Sequence, residues 1–417
     1  MSELRITGVR AITCAPDGSN LIVVRIDTNQ PGLYGLGCAT FTQRWKVVVT
    51  AIEEYMAPLL LGRDPRRIED IWQVAHGSSY WRNGPDLLNA MSGCDMALWD
   101  ILGKEAGVPV YRLLGGKCRD GAPVYRHADG RDPVEVEDNV RRYMEQGYQY
   151  VRCQMGGYGG KMNFLNSPDG SSTFDMRYIN DPRANKLKDA PFDALAYARS
   201  VPKMFEHLRN KLGFEVELCH DVHERLTPIE AVRLAKAVEP YRLFFLEDAL
   251  PPEQVDWFRH IRQHAAVPLA MGELFNNPME WTAIVSERLI DFIRVHISQI
   301  GGLTPARKLA ILCEAYGIRT AWHGPGDVSP VGHACNVHLD LASANFGIQE
   351  WCGIDESEPI NEVFSGVPKV KNGFVYVEDK PGFGVDINEE AAKKYPCFHE
   401  LPSWTLTRLP DGTAVRP

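Results

Sequence analysis

The sequence predicts an α/β protein, a (β/α)8-type barrel behind an N-terminal α+β capping domain. Three observations carry this reading. The opening part of the chain has strands first and helices after. From about residue 121 short apolar runs alternate with helical patterns. Eight such runs can be counted, which is the number a closed parallel barrel needs.

In the opening part, ITGVRAITC and NLIVVRIDT read as two strands of a meander, joined through Pro16, Asp17 and Gly18. Helical patterns follow in WKVVVTAIEEYMAPLLL, DPRRIEDIWQVAH and LLNAMSGCDMALWDILGKEAG. The last has apolar residues at three-to-four spacing and stops at Gly107, with Pro109 just beyond. The eight later runs are APVYRHA, YVRCQ, FEVELCHD, LFFLED, VPLAMGE, DFIRVH, RTAWHG and GIQEWC. Helix-like segments such as PIEAVRLAKAVEP, PEQVDWFRHIRQHA, PMEWTAIVSER and TPARKLAILCEAYG lie between most of them, as a parallel sheet requires. The same alternation allows an open doubly wound sheet, but no G-x-G-x-x-G follows an early strand. The expected division is a capping domain over residues 1–120 and a barrel over 121–380.

Composition sets the surroundings. A chain of 417 residues with 44% hydrophobic and 24% charged residues is that of a soluble globular protein. A net charge of −9 disfavours nucleic acid or an anionic membrane surface as the main partner. The ten cysteines are scattered with no CxxC pair, and several sit in apolar runs, so a reduced chain is expected. The N-terminus carries charges where a signal peptide needs an apolar core, and no apolar run approaches the ~18 residues of a membrane span. A cytoplasmic location is expected.

Active sites in such barrels lie at the C-terminal ends of the strands. Those ends carry His127, Arg152, Asp221 with His223, Glu247 with Asp248, Glu273, Arg294 with His296, His323 and Glu350. Twenty-six residues separate Asp221 from Glu247, and twenty-six separate Glu247 from Glu273, close to one strand–helix repeat each. Three carboxylates converging on one mouth repel one another unless a cation lies between them. An all-oxygen set without cysteine suits a hard divalent ion such as Mg2+. Taken one at a time, each carboxylate could instead cap the following helix or pair with a nearby Arg or Lys. His220 alternates with Asp221 and is expected to pack behind the barrel, while Asp248 and His296 read as supporting or helix-capping residues.

The motifs ELCHDVHERLTPIEA, LFFLEDALPPE, LAMGELFNNP, FIRVHISQIGGLT, AWHGPGDVSPVGHACNVHLDLA and ELPSWTLTRLPDGT resemble those of the enolase superfamily, in its mannonate dehydratase and starvation-sensing subgroup. The resemblance runs end to end and implies that residues 381–417 form a C-terminal segment returning to the cap. It implies Mg2+ held by Asp221, Glu247 and Glu273, and His223 as an acid/base group. It implies that Arg152 partners a tyrosine base, and that His127, Arg294, His323 and Glu350 contact substrate. Arginine is too strongly protonated to be an easy base, but it can lower the pKa of an adjacent phenol. Tyr158 fits that part, and Tyr178, beyond the insert GKMNFLNSPDGSSTFD, is its rival. Thr42 stands where the resemblance implies an asparagine reaching substrate from the cap, and Trp81 could close over substrate or pack.

The implied reaction is dehydration of a sugar acid to a 2-keto-3-deoxy acid through an enediolate, with D-mannonate the first expectation and D-gluconate the second. A small-molecule sugar acid is the expected partner, and a homo-oligomer the expected assembly. The alternatives are a dehydratase for another aldonate, or a catalytically weak homologue with a ligand-binding or regulatory role.

Overall fold

The structure, a computed structural model, describes residues 3–156, 192–399, 408–409 and 411–416. The chain opens with an antiparallel meander, β1 (Ile6–Cys14), β2 (Leu21–Thr28) and β3 (Tyr34–Cys38), in which Ile12 faces Val23 and Val24 faces Gly37. β3 is a strand that apolar alternation does not announce, because YGLGC carries two glycines. Their reason is the helix Pro85–Ala106 lying across the sheet. A Cβ at Gly35 would stand 1.9 Å from the Ala97 carbonyl oxygen, and one at Gly37 1.9 Å from that of Gly93. Glycine here permits backbone-to-backbone approach. The helix ends where expected, with Gly107 in the left-handed region at φ 67°.

All eight apolar runs after residue 121 form strands, in order: β4 (Ala122–Gly130), β5 (Tyr150–Met155), β6 (Glu217–Asp221), β7 (Phe245–Glu247), β8 (Leu269–Met271), β9 (Phe292–Ile293), β10 (Arg319–Thr320) and β11 (Gln349–Glu350). β4 to β10 pair in sequence as parallel neighbours, and β11 pairs with β4. The remaining gap is bridged where Gly347 N donates to Thr320 O at 2.9 Å and Thr320 bridges Phe346. The barrel therefore closes.

The outer helices start on strong local signals. Asp132, Thr227, Asn277 and Ser329 each precede a proline that opens a helix, at Pro133, Pro228, Pro278 and Pro330. Thr227 with Glu230 and Asn277 with Glu280 form full capping boxes.

Inside the barrel, Tyr125, Cys219, Phe245, Ala270, Phe292, Ala321 and Ile348 form a sealed apolar cluster. The rings of Phe245 and Phe292 lie 5.3 Å apart. This floor keeps the polar layer above it away from water, which strengthens every charge interaction there.

The cap is fastened to the barrel by specific polar contacts. Asp95 accepts from Thr304 N at 2.9 Å and from Thr304 Oγ1 at 2.5 Å, and Trp72 Nε1 donates to Gly301 O at 2.9 Å. The chain near its end also reaches the cap. Glu389 pairs with Arg10 at 2.6 Å, and Phe398 N donates to Asn20 Oδ1 at 2.7 Å. All ten cysteines are free. Among the described residues no helix is long and apolar enough to cross a membrane.

Candidate active site

Parallel pairing brings the strand-end residues to one mouth. His127 of β4 stands beside Arg152 of β5, and Asp221 of β6 beside Glu247 of β7. Glu247 also pairs with Ala270 of β8, so Glu273 comes just past that strand's end. Arg294, His323 and Glu350 arrive from β9, β10 and β11 in the same way.

The centre of this layer is a group of carboxylates around one guanidinium. Oxygens of Glu247, Asp248 and Glu273 lie within 4.8 Å of one another. Arg294, fully buried, pairs with Glu247 through Nε, and its Nη2 lies 3.4 Å from Glu273 and 2.9 Å from Glu350. Among the described residues Glu247 Oε2 accepts no hydrogen bond, although it is buried.

Burial pushes the Glu247 carboxyl well above the usual carboxylate range, opposed by Arg294 and reinforced by Asp221 and Glu350. Glu273 is also held well above that range, by burial and then by Asp248 and Asp221. Burial and Asp221 push Asp248 up to about 8. Glu350 goes the other way. Burial works to raise it, but Arg294, His323 and His127 together hold it well below its ordinary value.

A second layer of contacts orients this group. Arg152 Nη1 donates to Asp221 Oδ2 at 3.2 Å, and its Nη2 donates to His127 Nδ1 at 3.2 Å. His127 then presents Nε2–H to Glu350 Oε1 at 2.8 Å. Burial, then Arg152, lowers the His127 pKa, and the Arg152 bond to Nδ1 leaves the neutral ring's proton on Nε2. Glu350 Oε2 also accepts from Gly324 N at 2.8 Å.

His223 sits on a turn of unusual backbone. His223 and Glu224 are both left-handed, at φ 54° and 55°, which is uncommon for residues other than glycine. The turn is held by Val222 N donating to Glu247 O at 3.0 Å and Glu224 N to Asp248 O at 2.8 Å. The Asp221 carboxylate accepts the His223 amide at 2.7 Å. The His223 ring then lies 3.7 Å from Glu273 Oε1, and His323 Nε2 approaches Glu273 Oε2 from another side at 3.3 Å.

The described candidates therefore all meet at one mouth, but at two depths. Glu273, His323, His223 and His127 keep 11%, 14%, 15% and 18% of their side chains exposed. Arg294 and Glu350, expected at the substrate, are sealed beneath this rim at 0% and 1%. Their charges are engaged by each other and by neighbouring side chains. Tyr158 and its rival Tyr178 lie outside the described residues.

Asp248, read from the sequence as a supporting or helix-capping residue, lies within the carboxylate group itself. At φ 40° it leaves the strand alternation that should separate it from Glu247. The available signal was a pair of adjacent acids at a strand end. Thr42 is buried with its hydroxyl donating to Asn20 O at 3.3 Å, and Trp81 is 85% exposed. His220 does pack outward, between Tyr197 Oη at 2.7 Å and the Cys153 carbonyl at 2.8 Å.

A capped barrel with this set of carboxylates, an arginine and histidines at its mouth is the architecture of the enolase superfamily. Residues 9–115 match the mandelate racemase / muconate lactonizing enzyme N-terminal domain family, and residues 135–391 match the enolase C-terminal domain-like family. A D-galactonate dehydratase family member from Musicola paradisiaca is 58% identical, over 100% of both chains. The family member RspA from Pantoea ananatis is 57% identical, again over 100% of both. A crystal structure of an enolase from Pantoea ananatis with bound D-gluconate and Mg superposes with a TM-score of 0.92 at 57% identity, covering 99% of this chain and 100% of that one. The chain belongs to the D-galactonate dehydratase family of the enolase superfamily. Its relatives carry the galactonate name where the sequence resemblance implied the mannonate subgroup.

Proposed function

We propose that this protein is a Mg2+-dependent dehydratase of a six-carbon sugar acid, with D-gluconate the first substrate to test. The observation that carries the reading is a carboxylate at or just past the end of each of three consecutive strands, Asp221, Glu247 and Glu273, with oxygens of Glu247, Asp248 and Glu273 within 4.8 Å of one another and His223 beside Glu273. The donor set fits the ion. It is all oxygen, Glu247 Oε2 is buried without a hydrogen bond among the described residues, and four carboxylates, Asp221, Glu247, Glu273 and Glu350, share the guanidiniums of Arg152 and Arg294, with Asp248 a fifth beside them. Asp221, Glu247 and Glu273 would hold Mg2+, and Asp248, whose carboxylate lies within 4.8 Å of those of Glu247 and Glu273, stands beside them. When bound, the ion supplies the positive charge that makes a proton next to a carboxylate removable.

The chain's own residues do the rest. Arg152, held by Asp221 and His127, stays cationic and lowers the pKa of a neighbouring phenol, and Tyr158 is our choice of base, with Tyr178 the rival. That base takes the proton from C2. His223, on the Glu273 side, gives a proton to the C3 hydroxyl as its C–O bond breaks, so water leaves. The resulting enol becomes the 2-keto-3-deoxy acid. His127 and His323 on the rim bind substrate. Arg294 and Glu350 hold the rim residues in place from below and contact substrate only if the sealed layer opens.

The relative with bound D-gluconate and Mg supports the substrate order; D-mannonate and D-galactonate come next. Incubation of an aldonate library with Mg2+, read by keto-acid formation and by C2 hydrogen exchange in deuterated water, tests the proposal. Binding of an aldonate with neither exchange nor product would instead support the ligand-binding alternative.

A further inference from the structure

The backbone ladder between β5 and β6 stops short of the site. Its register runs from Tyr150 beside Glu217 to Arg152 beside Cys219, although the two strands continue to Met155 and Asp221. On its other side β6 stays paired to its end, with His220 beside Leu246 and Asp221 beside Glu247. Asp221 is therefore tied to β7 by backbone pairing and to β5 by side chains. Two of these bridge the lapse in opposite directions. His220 Nδ1 donates to the Cys153 carbonyl at 2.8 Å, and Gln154 Nε2 donates to the Asp221 carbonyl at 3.0 Å. A carbonyl only accepts, so a neutral His220 ring carries its proton on Nδ1, and its Nε2 accepts from Tyr197 Oη at 2.7 Å. Tyr197 belongs to the helix Ala194–Leu212, and its ring lies stacked 5.9 Å from that of His220. Gln154, Tyr197 and His220 are 1%, 2% and 1% exposed, so water does not compete for these bonds.

We propose that His220, Tyr197 and Gln154 are positioning residues that set where Asp221 stands against Arg152, beyond the point at which the ladder ends. This deepens the metal-site part of the dehydratase reading and rests on it. A continued ladder would hold β5 and β6 about 4.8 Å apart. Bridging by side chains frees the strands from that spacing and lets the size of a ring and an amide decide it. The spacing matters because Arg152 serves the proton-removing side of the site and Asp221 serves the ion. The two side chains meet at 3.2 Å, Nη1 to Oδ2, so a shift of either strand moves one side of the site against the other. Tyr197 acts through the ring. Its single proton goes to Nε2, since Asp221 O lies farther off, at 3.4 Å. The crowded end of β6 then has a division of labour, in which the outward His220 fixes the place of the inward Asp221.

Calorimetry with Mg2+ on the full-length variants tests the proposal without relying on turnover. Groups that orient a metal ligand from behind are worth about 10–100-fold in metal affinity, so Gln154→Leu and His220→Phe should each weaken Mg2+ by about tenfold. Tyr197→Phe removes one hydroxyl that acts through the ring, and should weaken Mg2+ by about threefold. Adding Tyr197→Phe to His220→Phe should cost nothing further, because the bond is already gone. Thermal melts without Mg2+ separate these effects from a general loosening of the barrel wall. Mg2+ affinity within about twofold of wild type in either Gln154→Leu or Tyr197→Phe overturns the proposal, whatever the melting temperature, since packing alone then explains the group. The full Tyr197→Phe loss reappearing in the His220→Phe background also overturns it. Gln154→Leu and Tyr197→Phe decide the matter if His220→Phe fails to fold. Wild-type protein without Mg2+ affinity sinks the metal site and the proposal together. Binding that Glu247→Gln abolishes and these variants keep sinks the proposal alone.

Discussion

Asp95 gives the sharpest quantitative expectation. It projects from the long cap helix Pro85–Ala106 to the start of the barrel helix Leu303–Ala315, where it accepts from Thr304 N and Thr304 Oγ1. A helix N-terminus favours an anion, but burial outweighs the Thr304 hydrogen bonds and pushes the carboxyl up to about 7. The unfolded value is about 3.9. The folded pKa is therefore the higher one, and the folded state holds the proton over a range where the unfolded state has lost it. Stability is fully present below about pH 4 and falls as pH rises through about 7, by roughly 1.4 kcal/mol per unit, then levels off. Asparagine at this position does not titrate, and the Thr304 hydroxyl can turn to accept from its amide. Between pH 5 and pH 8 the stability of Asp95→Asn relative to wild type should thus rise by about 2–3 kcal/mol, because all other groups cancel in the comparison. Urea unfolding of both proteins at the two pH values measures it, provided the slopes match. A difference between the proteins that is the same at pH 5 and pH 8 would refute the argument, since it would mean that Asp95 ionises normally despite its burial.

Glu247→Gln should abolish Mg2+ binding while leaving the fold intact, and calorimetric affinity equal to wild type would remove Glu247 from the metal site. His223→Asn should bind Mg2+ normally but lose about 10²–10⁴-fold in turnover, so a near-normal dehydration rate would exclude it as the acid. Tyr158→Phe should stop C2 hydrogen exchange in deuterated water while Tyr178→Phe retains it, and the reverse pattern would transfer the role. Gly37→Ala, which places a methyl 1.9 Å from the Gly93 carbonyl oxygen, should destabilise the cap by more than the ~1–3 kcal/mol usual for overpacking. Thermal melts unchanged from wild type would mean that the helix and β3 can separate cheaply.

What could be read beforehand follows the physics of each element. The barrel strands were legible because each is a buried apolar run, and the helices between them because Asp, Thr, Asn or Ser followed by Pro marks a start. The equal spacing of Asp221, Glu247 and Glu273 survives folding because parallel neighbours in a barrel end at similar heights. β3 was not legible, since its glycines answer to a helix sixty residues later and local alternation cannot show that. Asp248 was visible as a strand-end acid, but its turn to the same side as Glu247 depends on a left-handed backbone angle that strand alternation does not foretell. The depth at which Arg294 and Glu350 sit depends on which side chains from other strands cover them, and strand ends alone do not specify that.

The turn carrying His223 limits how this site can diverge. Two amide bonds, from Val222 and Glu224 to the carbonyls of Glu247 and Asp248, tie the turn to the neighbouring strand, and a third, from His223 to the Asp221 carboxylate, closes it on itself. A residue inserted or deleted between Asp221 and Glu224 would break one of these ties and swing the imidazole out of line with the carboxylates. Descendants of this chain can change the side chain at position 223 within the residues that accept a left-handed backbone, at the cost of the proposed acid, but not the length of the turn. New specificities are therefore expected to arise by changes in loop length elsewhere around the mouth, with this interval kept constant like the fixed jaw of a clamp.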